Sequence, residues 1–343
     1  MINTHATYFD VHNYSSVLPF DQSQIVIEIE QLVNNIRNSF YTIQLSPFRQ
    51  DKNTRFDEPL LIQILQSMPR YLSVYQAAYQ YSPHLNVFWL ACRDVGLLSP
   101  QSLLILSQYE FPLVSMGLAL RLCDRIAWYT RSQEFMAEVN KRRYQVMENA
   151  KSLRAFATKL HDDYSRLLVV RVDLSYREEF RHLVRIEDVL RHRKSLFRAR
   201  EYHPVFEYGI AQAWAIEQGG KTGGFHIHTV FYFRGDRRQN DWLIGRDIGE
   251  LWNQMAGHGR YYNCNTPEYK AKFERRGTLG IGMIYRENVA QVQHAVNSVT
   301  YLSDPTKEDQ DLRIKPVGAR TFGFGRKVSR KATKRHDGGI RHV

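Results

Sequence analysis

The chain has 343 residues, 43% of them hydrophobic and 13% aromatic, which is enough apolar mass for a sizeable core and too much for wholesale disorder. No stretch approaches the ~18 uninterrupted apolar residues of a membrane span. The first residues lack the basic start and apolar run of a signal peptide, and Cys92, Cys123 and Cys264 are too few and too scattered for a disulfide framework, so a cytoplasmic protein is expected. The formal charge of +12 is unevenly placed: residues 1–150 hold 12 basic and 13 acidic residues, whereas residues 151–343 hold 35 and 22. Such a basic C-terminal part points to a polyanionic partner, and nucleic acid is the commonest one.

In chain order, residues 1–20 read as irregular. Apolar spacing predicts helices over 21–41, 59–67, 100–108 and 112–129, and a long proline-free helix over 132–164. The region 1–150 is therefore expected to be mostly α, and no chemical motif stands out in it. After 164 the pattern changes. Residues 166–176 (RLLVVRVDLSY) read as a strand and 186–200 as a basic helix. Residues 208–217 and 225–233 read as two strands joined by a glycine-rich turn. A helix over 241–256, a strand over 278–285 and a helix from Asn288 to about 303, stopped by Pro305, complete the pattern.

The order β-α-β-β-α-β-α predicts an α+β domain over 151–325. Its antiparallel sheet would have ferredoxin-like or RNA-recognition-like topology, with helices on one face and the other face free for a ligand. Residues 326–343 are a basic tail; seven Lys/Arg fall in 325–343, without apolar periodicity, as suits an arm that binds phosphates and reads no bases.

Within 225–233, alternation puts His226, His228, Val230 and Tyr232 on one face and Phe225, Ile227, Phe231 and Phe233 on the other. Two imidazoles so placed on an open face can share a divalent ion; two merely solvent-facing histidines would give the same pattern. Glu217, across the turn, adds a carboxylate on the face that also carries Ala211, Ala213 and Ala215. A mixed nitrogen–oxygen set suits Mg2+ or Mn2+, with positions left for phosphate oxygens and water. Val169, Arg171 and Asp173 share a face of the first strand. Asp173 either assists the metal or closes the strand end, and the second role is the one expected.

In the last helix, Val289, Val292, Val296 and Val299 form the expected buried stripe. His294, Asn297 and Tyr301 fall on a polar face at spacings of three and four. Tyr301 could then reach the metal face, where charge withdrawal from a phosphorus makes a tyrosine hydroxyl a competent nucleophile.

These residues resemble the HUH (His-hydrophobe-His) endonucleases, and more closely the gene-two-like replication initiators of filamentous phages (inoviruses) and the related YagK/YfjJ-type prophage proteins. The resemblance covers about residues 165–325. It rests on RLLVVRVDLSYR (166–177), HPVFEYGIAQAWAIEQGGKTGGFHIHTVFYFRGD (203–236), IGELWNQMAGHGRYYNCN (248–265), GIGMIYR (280–286), VTYLSDPTKEDQDLRIK (299–315) and RTFGFG (320–325).

What the resemblance implies is an HUH fold and a metal-dependent nickase and ligase of single-stranded DNA. The enzyme would act at a rolling-circle replication origin through a 5′-phosphotyrosine intermediate. His226, His228 and Glu217 would hold Mg2+ or Mn2+, and Tyr301 would attack. Relatives commonly carry a lysine about three residues after the tyrosine; here that position is Asp304, and Lys307 is the candidate for the role. Arg171, Arg234, Arg237, Arg238 and Arg260 are the candidate phosphate contacts. The implied partners are single-stranded origin DNA and host replication proteins, in the cytoplasm of a bacterium and encoded by a phage or prophage. No GxxxxGK[ST] loop is present, in keeping with chemistry that uses no ATP.

Two other readings stand beside this one. A non-catalytic prophage DNA-binding regulator that keeps the fold has the displaced lysine as its best support, and the intact His226, His228, Glu217 and Tyr301 argue against it. An unrelated metal enzyme fits less well: a cupin-like site wants a glutamate soon after the second histidine, and a histidine-triad hydrolase wants a third alternating histidine where Val230 stands.

Overall fold

The computed structural model describes residues 21–45, 58–98, 116–219, 224–304 and 312–326. The helix expected over 100–108, Lys307 and the tail after 326 lie outside the described residues. The N-terminal region contains α1 (Gln22–Leu45), α2 (Glu58–Leu72), β1 (Tyr79–Tyr81), α3 (Pro83–Asp94), α4 (Met116–Tyr129) and α5 (Gln133–Asp163). The helix α5 begins where the Ser132 hydroxyl accepts the Phe135 amide at 3.1 Å, a side-chain cap that satisfies one of the orphan donors of the first turn.

Then follow β2 (Arg166–Tyr176), α6 (Ile186–Ala199), β3 (Gly209–Gln218), β4 (Phe225–Arg234), α7 (Asp241–Ala256), β5 (Gly259–Asn263), α8 (Pro267–Glu274), β6 (Gly282–Tyr285), α9 (Val289–Thr300), β7 (Ile314–Pro316) and β8 (Phe322–Arg326). Asn288 caps α9 as expected, its side chain accepting the Gln291 amide at 3.0 Å.

The main sheet is antiparallel throughout and runs in the order β5-β2-β4-β3-β8. Two strands share the outer edge of β2: β5 along Val172–Tyr176, and β6 along Arg166–Val169. The α+β class is thus the observed one. The expectation of helices on one face only is not: both faces carry them. Leu168, Val170, Val172 and Leu174 of β2, with Phe225, Ile227, Phe231 and Phe233 of β4, pack into one core with α6, α7 and the N-terminal helices. On the opposite face, Ala211, Ala213, Ala215, Val230 and Tyr232 pack under Leu153, Ala157 and Leu160 of α5 and Ala295, Val296 and Val299 of α9.

The reason lies in side-chain size. A row of alanines leaves room for helices to approach the sheet, and their own apolar side chains then bury there. A glycine helps at one further point: a Cβ on Gly280 would overlap the carbonyl of His294 in α9. The buried stripe of α9 also differs from the expected one. Val289 is 76% exposed, because its place in the first turn precedes the packed part of the helix.

The expected boundary near 150 falls on a helix, α5, which runs unbroken from Phe135 in the first core to Leu160 in the second. The short strand β1 pairs with β7 in a separate two-stranded sheet. At the start of α1, Ser23 accepts from the Gln218 side chain at 2.8 Å and from the Gly224 amide at 2.9 Å, gripping both ends of the β3–β4 turn. The buried Arg313 joins the same point, pairing with Glu30 at 2.7 Å while its amide donates to the Gln218 side chain at 3.2 Å. The three cysteines are all buried and free.

Candidate metal centre

The strands β3 and β4 set Ala215 opposite His228 and Glu217 opposite His226. Alternation puts all four on one face, beyond the part that α5 and α9 cover. One oxygen of Glu217, Oε2, lies 3.1 Å from His228 Nε2 and 3.5 Å from His226 Nε2. One ligand atom from each of Glu217, His226 and His228 lies within 4.8 Å of the others, the only such group among the described residues. The two imidazoles stand nearly perpendicular, at 80°, with ring centres 4.9 Å apart. The site is graded in depth: the His226 side chain keeps 23% of its exposure, that of His228 13% and that of Glu217 10%.

Behind His228 stands a second layer. The register of β2 on β4 sets Asp173 opposite His228, and Asp173 Oδ1 lies 2.8 Å from His228 Nδ1. A carboxylate there accepts an Nδ1 proton, which fixes the tautomer and leaves the Nε2 lone pair facing Glu217. Arg171 in turn clamps Asp173 with two hydrogen bonds of 3.1 Å. Asn265 holds the Arg171 backbone on both sides, accepting its amide at 3.2 Å and donating to its carbonyl at 2.8 Å.

Burial alone would lower the His228 pKa, but the Asp173 and Glu217 carboxylates outweigh it and raise it above an ordinary imidazole. Burial would likewise raise the Asp173 pKa, yet His228 and Arg171 hold that carboxyl well below the usual range. Nearby, burial and then Asp173 push the Cys264 thiol up to about 12, which keeps it protonated and unsuited as a ligand.

The donor set therefore fits a divalent ion: two neutral-nitrogen positions and one carboxylate converge, one imidazole is already oriented, and the outer imidazole reaches solvent. Glu217, His226 and His228 are the residues that could hold Mg2+ or Mn2+. Asp173 does not close a strand end, as expected from sequence, and is not part of the converging group; it orients His228.

Tyr301 is 44% exposed and opens the single 3-10 turn that follows α9. The next three residues, Leu302, Ser303 and Asp304, line the same cleft as Glu217, and the Ser303 hydroxyl anchors the turn on the Val146 carbonyl of α5 at 3.0 Å.

The five arginines expected at phosphates are dispersed. Arg171 is buried and spent on Asp173. Arg234 grips Asp236 at 2.7 Å and Arg237 lies 3.7 Å from the same carboxylate. Arg238 lies over the Phe233 ring at 5.9 Å. These last three sit at the far end of β4, six or more residues and so roughly 20 Å or more from His228. Apart from the buried Arg171, only Arg260, opposite Ser175 two positions beyond Asp173, lies at the metal end.

Sequence reasoning missed Tyr262. It faces Asp173 across β2–β5 and is 51% exposed, so one row across the sheet reads Tyr262, Asp173, His228, Ala215 and Phe322. The aromatic pair in GRYYN was its available signal, but β5 was not expected as a strand. No family model, curated protein or solved structure matches this chain.

Proposed function

We propose that this protein is an endonuclease of the His-hydrophobe-His kind, which nicks and rejoins single-stranded DNA at a replication origin through a tyrosine. The observation that carries this reading is the convergence of Glu217 of β3 with His226 and His228 of the middle strand β4, with Asp173 behind His228. The sheet order supports it. Counting β2, β3, β4 and β5 as first to fourth, the strands lie fourth-first-third-second, the antiparallel order of a ferredoxin-like sheet. The net charge of +12 is consistent with a polyanionic substrate.

A bound Mg2+ or Mn2+ would supply Lewis-acid polarisation of the scissile phosphate. The chain's own residues do the rest. Asp173 holds the Nδ1 proton of His228 and so keeps Nε2 available. Arg171 keeps Asp173 ionised and in place. The Tyr301 oxygen forms a new bond to phosphorus as the bond from phosphorus to the 3′ oxygen breaks, and the phenolic proton ends on the departing 3′ oxygen. The phosphodiester energy is kept in the tyrosyl ester, and attack by a 3′ hydroxyl returns the proton and reseals the strand.

The test is a denaturing gel of protein incubated with single-stranded DNA and Mn2+. Wild-type protein should give a DNA adduct that survives denaturation, and Tyr301→Phe should give none while keeping its fold and DNA binding. An adduct from Tyr301→Phe would move the role to another tyrosine, with Tyr262 the one to test next. No adduct from wild-type protein on any single-stranded substrate would favour a DNA-binding regulator without nuclease activity.

A further inference from the structure

Beside the metal centre opens a cleft of about 840 Å³, whose floor includes Ala215 and Glu217. One wall is the middle of α5; the other is built by the residues around β7 and the approach to β8. Its lining carries more cations than acids. Arg142 reaches across from α5 to donate to the Leu312 carbonyl at 2.6 Å. Lys315 lies on the opposite wall, partly buried, and makes no ion pair among the described residues. Burial first, and then the charge of Arg142, lower its pKa, so two cations are held near each other in a site of restricted solvation.

Arg320 lies further along the cleft, exposed and also without an ion pair among the described residues. Its charge is felt by Arg193, which packs 4.1 Å over the Trp214 ring and whose buried Nε has no hydrogen-bond partner. Of the three lining acids, Glu138 is bound to Lys141 at 3.1 Å, Glu217 belongs to the metal centre, and Asp304 follows the Tyr301 turn. Like charges brought together in a cleft cost free energy until an anion lies between them. The cleft also offers rings: Phe322, opposite Ala215 in register, and Phe324, 5.9 Å from it. Cations spaced along a groove beside partly exposed aromatic rings suit a phosphate backbone whose bases stack.

We propose that this cleft is a track for single-stranded nucleic acid running away from the metal centre, with Arg142, Lys315 and Arg320 on its phosphates and Phe322 on a base. The proposal rests on the nucleic-acid reading above but not on cleavage, and it gives the N-terminal region, through α5, a direct part in binding. None of the five arginines expected from sequence belongs to it.

The test is a binding titration of a labelled single-stranded oligodeoxynucleotide against full-length protein, in chelator so that nothing is cut, at several salt concentrations. Each phosphate contact contributes about 0.7 to the log–log salt slope on single strands, so Lys315→Gln/Arg320→Gln should flatten that slope by about 1.4. Lys315→Arg/Arg320→Lys should restore it, and Mn2+ binding measured by calorimetry should be unchanged in both. If the glutamine pair disturbs Mn2+ binding, Arg320→Gln alone is read, with an expected loss of about 0.7. An unchanged slope overturns the track, as does a change seen with duplex but not with single strands. The two readings fail separately: wild-type protein that forms no tyrosyl adduct yet shows the slope change would sink nicking and leave the track standing.

Discussion

The two faces of β4 put the same strand to opposite uses. On one face Phe225, Ile227, Phe231 and Phe233 are all buried to within 3%, and every position is equivalent because helices cover the strand from end to end. On the other, Val230 and Tyr232 are as deeply buried under α5 and α9, but the cover stops before His228 and His226, which keep partial exposure. A chemical site here is the uncovered remainder of an otherwise packed face. It inherits the rigidity of that face through strand register and still meets solvent at its outer imidazole.

The comparison can be broken most completely from the histidine side. His226→Ala/His228→Ala should abolish Mn2+ binding by calorimetry and all nicking, while leaving the melting temperature of the chelated protein within a few degrees of wild type. A large fall in that temperature would show that the imidazoles serve the core. The mirror change on the covered face is Phe231→Ala. Removing a buried ring should destabilise the fold by about 3–5 kcal/mol in denaturant titration, with Mn2+ affinity unchanged under conditions where the protein remains folded.

A finer cut separates the metal ligands from what orients them. Asp173→Asn should lower Mn2+ affinity by about 10–100-fold without abolishing it, and the loss should shrink at lower pH, where the Asp173 carboxylate keeps a proton on the wild-type His228 that the metal must displace. The same pair predicts the pH response of the chelated protein. The His228 pKa is raised on folding, so its contribution is fully present below about pH 6.5 and is lost as pH rises through the higher folded value. The Asp173 pKa is depressed, so its contribution is present above about pH 3.9 and is lost as pH falls. Chelated protein should therefore melt at a higher temperature near pH 5.5 than near pH 8, and His228→Gln should remove that difference. The smallest effect is expected at the far end of the strand: Arg234→Ala should leave both the melting temperature and the Mn2+ affinity where they were.

Much of this was legible in the sequence, and the parts that were not share a cause. Alternation alone placed His226 and His228 on one face and Glu217 beside them, because strand period is local. The role of Asp173 depends on how β2 registers on β4, which no single strand reveals. The helices on the second face were foreshadowed by Ala211, Ala213 and Ala215, whose smallness reads equally well as an open surface. The strand β5 was missed because five residues beginning at Gly259, with tyrosines and an asparagine, lack an apolar alternation. The exposure of Val289 shows the converse: a residue on the right stripe stays in water when the helix has not yet reached its neighbour.

The grip on the β3–β4 turn bears on the order in which the protein is made. Glu217 and both histidines emerge from the ribosome early, but Arg313, β7 and the edge strand β8 come about a hundred residues later. At ordinary elongation rates of about 5–20 residues per second, the nascent hairpin waits roughly 5–20 s with the outer edge of β3 unpaired. During that interval it is both an incomplete site and an open template for strand pairing, so a segment synthesised later protects the part that holds the chemistry.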